Sequence, residues 1–227
     1  MLVSHLAVHI RGAVMATVCD RWTRGVLAAR GEWTEDFDGE QFCLGRAFYT
    51  HLETDRTKAY FADAAYSNAR VEEHAPGLQA TLRGILAEAV RGRVVPRPDW
   101  CGAGVHVFPP AGPVAKKGGV LHFDTEGLAD RHLAHRRGAL SLVAMIHPPI
   151  RGGGLRLWPL VYSGADEADE ATARAVGDVL VTLDAGDVVL FDSYRLHQIQ
   201  PFVGRRERIS ATLHAAELHH GLWESWF

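Results

Sequence analysis

The spacing of apolar residues along the chain changes about a hundred residues from its start. Before that point, apolar residues recur at helical spacing, in stretches rich in Ala, Leu, Arg and Glu, which favour helices. This pattern predicts helices within Ala13–Arg30, Asp55–Glu73 and Leu78–Val90. Arg91–Pro98 contains a glycine and two prolines, which end helices, so this segment is predicted to be a linker.

Beyond residue 105 the chain consists of short apolar and β-branched runs separated by Gly and Pro. Such runs predict strands joined by turns, the pattern of an antiparallel sandwich or barrel. The predicted strands are Val105–Phe108, Gly119–Asp124, Leu140–His147, Leu155–Leu160, Val179–Leu183, Asp187–Asp192 and Ile209–Ala216. We therefore expect a mostly β protein with flanking helices.

We predict one domain over residues 1–227, in three parts. A helix-rich N-terminal part covers 1–100, a β core covers 105–216, and an aromatic tail covers 217–227. The aromatic side chains of the tail would form an apolar patch if they were exposed. The tail is therefore expected to pack on the core, on a lid or on a second subunit, which leaves a homodimer open.

Composition narrows the class of protein and of partner. The 227 residues are 47% hydrophobic and 22% charged with a formal net charge of −3, ordinary values for a globular protein. No basic excess exists to attract nucleic acid or an anionic membrane surface. Three widely spaced cysteines favour a reducing compartment, and no signal peptide or membrane-length apolar run is recognised. We therefore predict a cytoplasmic protein with a small-molecule partner.

The 13 histidines prompt a search for metal-ligand spacing. His122 and Asp124 lie two residues apart on a predicted strand, so their side chains project to the same face. An imidazole and a carboxylate on one face can take two adjacent positions on one metal ion. The best third candidate is His197, at the end of a later apolar strand. Two His and one carboxylate leave open positions, as in non-heme Fe(II) oxygenases.

A second constellation follows eleven residues after His197. Arg208 and Ser210 share a strand face, while Glu207 points to the opposite face. A guanidinium binds a carboxylate through two hydrogen bonds, and a hydroxyl adds one more. A buried cation without an acid on its own face requires an anionic ligand, and a dicarboxylate co-substrate fits. Arg206 lies on the same face and is the alternative.

These residues resemble those of the Fe(II)/2-oxoglutarate-dependent oxygenase superfamily, especially its small prolyl-hydroxylase-like and phytanoyl-hydroxylase-like members. The matching elements are H-x-D at His122 and Asp124, the distal His197, and R-x-S at Arg208 and Ser210. The run GDVVLFDSYRLHQIQPFVGRRERIS is similar to the closing strands of that family. The resemblance covers about residues 105–216.

The resemblance implies a double-stranded β-helix, a cupin-like jelly-roll, with the N-terminal helices packed on one side. It implies that His122, Asp124 and His197 hold Fe(II) and that Arg208 and Ser210 bind the far carboxylate of 2-oxoglutarate. The implied activity uses O2 to hydroxylate an unactivated C–H bond of an amino acid, a peptidyl residue or a natural-product intermediate. Succinate and CO2 are released. Desaturation, ring closure and epimerisation are alternative outcomes.

The resemblance also bears on weaker candidates. Related halogenases have a small residue in place of the carboxylate, so Asp124 argues against halogenation. Family members often carry a Tyr or Asn near the first core strand that contacts the co-substrate; Phe108 lacks that hydroxyl, and His106 is the candidate for a polar contact there. The candidate substrate residues are Glu126, Arg156, Trp158 and Tyr194.

Two other functions stay open from the sequence. One is an oxygenase with the same three metal ligands that does not use 2-oxoglutarate. The other is a non-catalytic jelly-roll module that binds a ligand. For the weaker candidates the alternatives are structural: a packed core histidine at His106, an exposed loop acid at Glu126, and a surface arginine beside a core tryptophan at Arg156 and Trp158.

Overall fold

The computed structural model describes residues 5–164 and 170–227. Most of the helices precede the main run of strands. The helices are α1 (Ala16–Ala28), α2 (Phe48–Glu53), α3 (Thr57–Ala62), α4 (Ala64–His74), α5 (Leu78–Val90), α6 (Pro113–Lys117), α7 (Asp130–His135) and α8 (Glu170–Ala175). Short 3-10 turns occur at Arg30–Glu32 and Phe37–Gly39.

The strands extend from the first described residues to the last. They are β1 (Ala7–Ile10), β2 (Thr34–Asp36), β3 (Gln41–Leu44), β4 (Arg93–Pro96), β5 (Gly104–Phe108), β6 (Ala139–His147), β7 (Arg151–Gly152), β8 (Leu155–Val161), β9 (Val179–Val181), β10 (Val188–Asp192), β11 (Arg195–Ile199), β12 (Phe202–Val203), β13 (Arg208–His219) and β14 (Leu222–Trp226).

A larger sheet runs in the order β1-β10-β6-β13-β5-β3-β2. The long strand β13 pairs with β5 through its first half and with β14 through its second half. The short strand β4 adds to β14 in parallel, whereas the other pairings within the described residues are antiparallel. A smaller sheet has the order β11-β8-β9, and β12 pairs with β7.

Strand β13 separates two layers because its side chains alternate. Ile209, Ala211 and Leu213 are fully buried on one face, in a cluster with apolar residues of α1, α4 and α5. This cluster is the main core, and it places those helices on one side of the larger sheet. Arg208 and Ser210 are buried on the opposite face. That face looks toward the smaller sheet, so a polar strip lies inside the molecule.

A second apolar cluster joins the two sheets. Met145 of β6 and Val189 and Phe191 of β10 pack against Leu155 and Leu157 of β8. These side chains fill one end of the space between the sheets. The polar face of β13 therefore lies beside a packed region that keeps the two sheets together.

Several elements differ from the sequence predictions. Helix α5 has the predicted bounds, but the predicted helix at Asp55–Glu73 is divided into α3 and α4 around Asp63. Gly119–Asp124 forms no continuous strand, although His122 makes an isolated bridge with His197 and the backbone N–H groups of Gly119 and Asp124 donate to the Ile199 and Ser193 carbonyls. Arg91–Pro98 is not simply a linker, because its residues 93–96 pair with β14, where the partner strand supplies hydrogen bonds that local sequence does not reveal.

The sheet extends beyond the residues 105–216 that the strand pattern marked. Strands β1, β2 and β3 come from the helix-rich part, and the aromatic tail contributes β14. Trp226 and Phe227 are almost fully buried, so the tail packs on the core of its own chain. That residues 1–227 form one domain stays a prediction, as does the homodimer.

Two observations concern the predicted location. Among the described residues, no helix combines the length and hydropathy needed to cross a membrane. Cys19, Cys43 and Cys101 are free and buried. A cytoplasmic location stays a prediction.

Candidate metal centre

His122 and His197 lie side by side, where the segment before Asp124 crosses strand β11. The backbone N–H of each residue donates to the carbonyl of the other, at 3.2 and 3.0 Å. The two imidazole centroids are 4.1 Å apart. The backbone N–H of Asp124 donates to the Ser193 carbonyl at 2.9 Å, which continues the same alignment. Residues 75 positions apart in the sequence are thereby brought to one point.

The three predicted ligands offer atoms to a common centre. Nε2 of His122 lies 3.5 Å from Oδ1 of Asp124, and Nε2 of His197 lies 3.4 Å from Oδ2. One ligand atom from each of the three residues lies within 4.8 Å of the others. Two imidazoles and a carboxylate at these separations suit a divalent first-row metal ion.

Both imidazoles are held in the orientation that metal binding requires. Nδ1 of His122 is 2.8 Å from the Val120 carbonyl, and Nδ1 of His197 is 2.9 Å from the Arg195 carbonyl. Since a carbonyl oxygen only accepts hydrogen bonds, each Nδ1 carries the proton. In the neutral form of each ring the lone pair is therefore on Nε2, which faces Asp124.

A network of polar side chains from the larger sheet holds Asp124. Ser141 of β6 donates its hydroxyl proton to Oδ2 of Asp124 at 2.5 Å. Oγ of Ser193 lies 2.9 Å from Oγ of Ser141, and Nδ1 of His214 lies 3.2 Å from the same Ser141 oxygen. A serine has one proton, so Ser141 accepts hydrogen bonds from these two neighbours. Both orient the serine that in turn orients the carboxylate.

Charge and burial differ across the centre. Burial alone would raise the pKa of Asp124, but the neighbouring His197 and His214 hold it well below its ordinary value. The carboxylate is therefore ionised and ready to bind a cation. The side chain of His197 is 4% exposed, whereas that of His122 is 43% exposed. The accessible side of the centre is thus the side of His122.

Arg208 is a buried cation with an unused donor. Its Nε donates to the Gly153 carbonyl at 2.9 Å, and its Nη1 donates to Ser210 Oγ at 2.9 Å. Its Nη2 is buried and has no hydrogen-bond partner among the described residues. Burial lowers its pKa to about 10, so it stays protonated at neutral pH. Arg206, the alternative, is exposed.

His106 lies on the same inner face as Ser210, because the two residues are register partners on β5 and β13. Its Nδ1 is 3.2 Å from Sγ of Cys43 on the next strand. Burial and the nearby charges of His214 and Arg208 lower its pKa to about 3. His106 is therefore a neutral polar side chain beside the arginine.

The structure does not bring Arg156 and Trp158 to this centre. Leu157 pairs with His197 and shares its face, so its two neighbours on β8 point to the opposite face. Arg156 donates to Asp178 at 2.7 Å on the surface. Trp158 packs with Phe123 and Leu196. This corrects their assignment as candidate substrate residues.

The other two candidate substrate residues, Tyr194 and Glu126, lie in different surroundings. Tyr194 is buried, and its hydroxyl donates to the His132 carbonyl at 3.0 Å; a contact between Tyr194 and substrate stays a prediction. Glu126 lies near the centre, where burial and the charge of Asp124 raise its pKa to about 7. A contact between Glu126 and substrate stays a prediction.

Sequence reasoning did not identify Ser141, Ser193, His214 or Tyr49. His214 carried a signal, because it continues the face of Arg208 and Ser210 on one strand. Ser141 also carried one, as a polar residue at an inward position of an apolar strand. Tyr49 comes from α2, and its ring centroid is 5.9 Å from that of His106. No sequence pattern connected that helix to the site.

Comparison with known proteins identifies the family. The family model described as "Carrier-protein-independent halogenase WelO5" matches residues 6–219, and the chain belongs to this family. It is thereby a member of the Fe(II)/2-oxoglutarate oxygenase superfamily, as predicted. No curated protein matches the sequence.

Solved structures show the same fold at low identity. AviO1 from Streptomyces viridochromogenes Tue57 is 16% identical, with 94% of this chain and 90% of that one covered and a TM-score of 0.60. An N-substituted L-amino acid dioxygenase from Burkholderia ambifaria AMMD, in complex with alpha-KG, is 16% identical (97% and 86% covered, TM-score 0.57). The epimerase SnoN, in complex with Fe3+, alpha ketoglutarate and nogalamycin RO, is 14% identical (97% and 93% covered, TM-score 0.53). The predicted jelly-roll with flanking helices is confirmed.

The Ser141 hydrogen bond predicts a measurable effect on metal affinity. Substituting Ser141→Ala removes the donor that orients Asp124, so Mn(II) binding measured by calorimetry should weaken by about ten-fold. Ser225→Ala is the matched control, because Ser225 is equally buried and donates to the Val95 carbonyl outside the centre. Equal Mn(II) affinities in the two variants would contradict this role for Ser141.

Proposed function

We propose that this protein is an Fe(II)- and 2-oxoglutarate-dependent oxygenase that hydroxylates an unactivated C–H bond of a free small molecule. The observation that supports it most directly is the convergence of His122, Asp124 and His197 on one point. The family description includes the words "carrier-protein-independent", which favours a substrate that is not attached to a carrier protein. The partners of the reaction would be the small-molecule substrate and O2.

The residues present fit both implied groups. His122, Asp124 and His197 would hold the metal ion on one side and leave its other positions for ligands from solution. Arg208 offers its unpartnered Nη2 inside a buried polar strip, where an anion would satisfy it. When bound, Fe(II) and 2-oxoglutarate would supply the activation of O2 that oxidises the substrate, with release of succinate and CO2.

The protein's own residues would position the co-substrate. Arg208 and Ser210 would bind its far carboxylate, and Phe108 would cover the guanidinium, whose carbon is 5.4 Å from the Phe108 ring centroid. His106 is uncharged, so it would offer the co-substrate a hydrogen bond but no charge. The positive charge that pairs with the far carboxylate would come from Arg208. Burial of these groups excludes water and strengthens their hydrogen bonds to the carboxylate.

Halogenation is the second candidate, because the family description names a halogenase. Asp124 argues against it, since related halogenases have a small residue where this chain has a carboxylate. Asp124 is fixed by Ser141 and aimed at the other two ligands, so it would occupy the position that a halide needs. We therefore favour hydroxylation, with epimerisation, ring closure and desaturation as other outcomes of the same site.

Metal and co-substrate binding can be tested without knowing the substrate. Anaerobic titration with Fe(II) and 2-oxoglutarate should produce a weak visible absorption band, and exposure to air should produce succinate. His122→Ala should abolish both because it removes one of three ligands. His220→Ala, at an exposed residue of the chain end, should retain both. A wild-type protein with neither band nor succinate would overturn the proposal.

The arginine that binds the co-substrate is tested by two substitutions. Arg208→Ala should raise the KM for 2-oxoglutarate by about 100-fold or more, because a buried carboxylate loses its charge partner. Arg206→Ala should change it by less than about two-fold, since exposed charges contribute little. Unchanged succinate formation in Arg208→Ala would favour an oxygenase that does not use 2-oxoglutarate, and binding without turnover in the wild type would favour the non-catalytic module.

Chloride distinguishes hydroxylation from halogenation. Adding chloride to the anaerobic sample with Fe(II) and 2-oxoglutarate should leave the absorption band of the wild-type protein unchanged, because Asp124 fills the ligand position. In Asp124→Gly the same addition should shift the band. A shift in the wild-type protein would instead support halogenation.

A further inference from the structure

A groove of about 480 Å³ is lined by helix α2, the loop after β4, the segment that follows Asp124 and strand β14. We call it the aromatic groove. The residues used below to define it are Phe48, Leu52, Trp100, Leu128 and Arg131.

One chain segment connects the groove to the centre. Gly127 in the groove lining is three residues after Asp124, a distance of at most about 11 Å even for a fully extended chain. Helix α2, which supplies Phe48 and Leu52 to the groove, also carries Tyr49, whose ring centroid is 5.9 Å from that of His106 on β5. The groove therefore lies near the metal centre.

The surface of the groove is suited to a flat ring system. The ring centroids of Phe48 and Trp100 are 4.4 Å apart, and the rings are inclined by 40°. Leu52, which also lines the groove, is 46% exposed. Aromatic and aliphatic faces of this kind gain free energy when an apolar ring covers them.

One charged group of the groove is available to a ligand. Arg97 is already neutralised, because it donates to Glu224 and to the Gly127 carbonyl at 2.7 Å each. Arg131 is exposed, and no ion pair within residues 5–164 and 170–227 includes it. An anionic group of a ligand would therefore be favoured at Arg131.

We propose that the aromatic groove binds the substrate, and that the substrate is a flat aromatic molecule with one acidic group. Its rings would lie on Phe48, Leu52 and Trp100, and its acidic group would pair with Arg131. This orientation directs the opposite, uncharged end toward His122 and Asp124. The inference rests on the proposed function, since it assigns the substrate class of the same centre.

Two fluorescent probes test the ring surface and the charge separately. The probes are 8-anilinonaphthalene-1-sulfonate and its uncharged analogue N-phenyl-1-naphthylamine. Leu52→Gln should weaken binding of both by about five-fold, because it removes apolar contact area. Arg131→Gln should weaken the sulfonate alone, by about three-fold, as expected for an exposed ion pair.

The controls match exposure and residue type. Leu180→Gln alters a leucine of 47% exposure on β9, and Arg24→Gln alters an exposed arginine on α1. Both should leave probe binding unchanged. Equal effects of Leu52→Gln and Leu180→Gln would overturn the groove as the binding surface. Equal effects of Arg131→Gln on the two probes would overturn the acidic group.

Proximity to the metal is tested with Mn(II), whose unpaired electrons broaden nearby proton resonances. The ring protons of the bound sulfonate should broaden in the Mn(II)-loaded wild-type protein but not in His122→Ala. Absence of broadening would place the probe away from the centre and overturn the proposal. Failure of the proposed function is distinguishable, because it would remove the Fe(II) and 2-oxoglutarate band while leaving probe binding intact.

Discussion

Alternation of side chains along β13 is the constraint on which the rest of the structure depends. One face of this strand is apolar and packs under the helices, and the other presents Arg208, Ser210 and His214 to the space between the sheets. A shift of one residue in its register would exchange the two faces. The strand can hold a buried cation only because its opposite face anchors it so firmly in the core.

Asp124 connects the two sheets electrostatically. His122 and His197 approach it from the smaller sheet, while Ser141 and His214 contact it from the larger sheet. A carboxylate held in this way has little freedom to move aside for another anion. The family description names a halogenase, and under the proposed function this fixed carboxylate is the feature that argues against binding of a halide.

Several parts of the site could be predicted because their spacing carries a physical meaning. Two residues of separation on an extended chain place His122 with Asp124, and Arg208 with Ser210, on common faces. Ser141 and Tyr49 could not be assigned in this way, since their roles depend on which strand and helix become neighbours. The sequence correctly placed Arg156 and Trp158 on one face of β8, but periodicity alone does not show whether that face points inward.

Local sequence by itself determined the helix α5, most of the core strands and the identity of the three candidate ligands. Only the tertiary structure decided that Arg93–Pro96 pairs with the aromatic tail, that Gly119–Asp124 lies along β11 without forming a continuous strand, and that Arg208 rather than Arg206 is buried. The physical reason is that helix periodicity and strand alternation are properties of neighbouring residues. Pairing, burial and the approach of distant side chains depend on contacts between segments that the sequence keeps far apart.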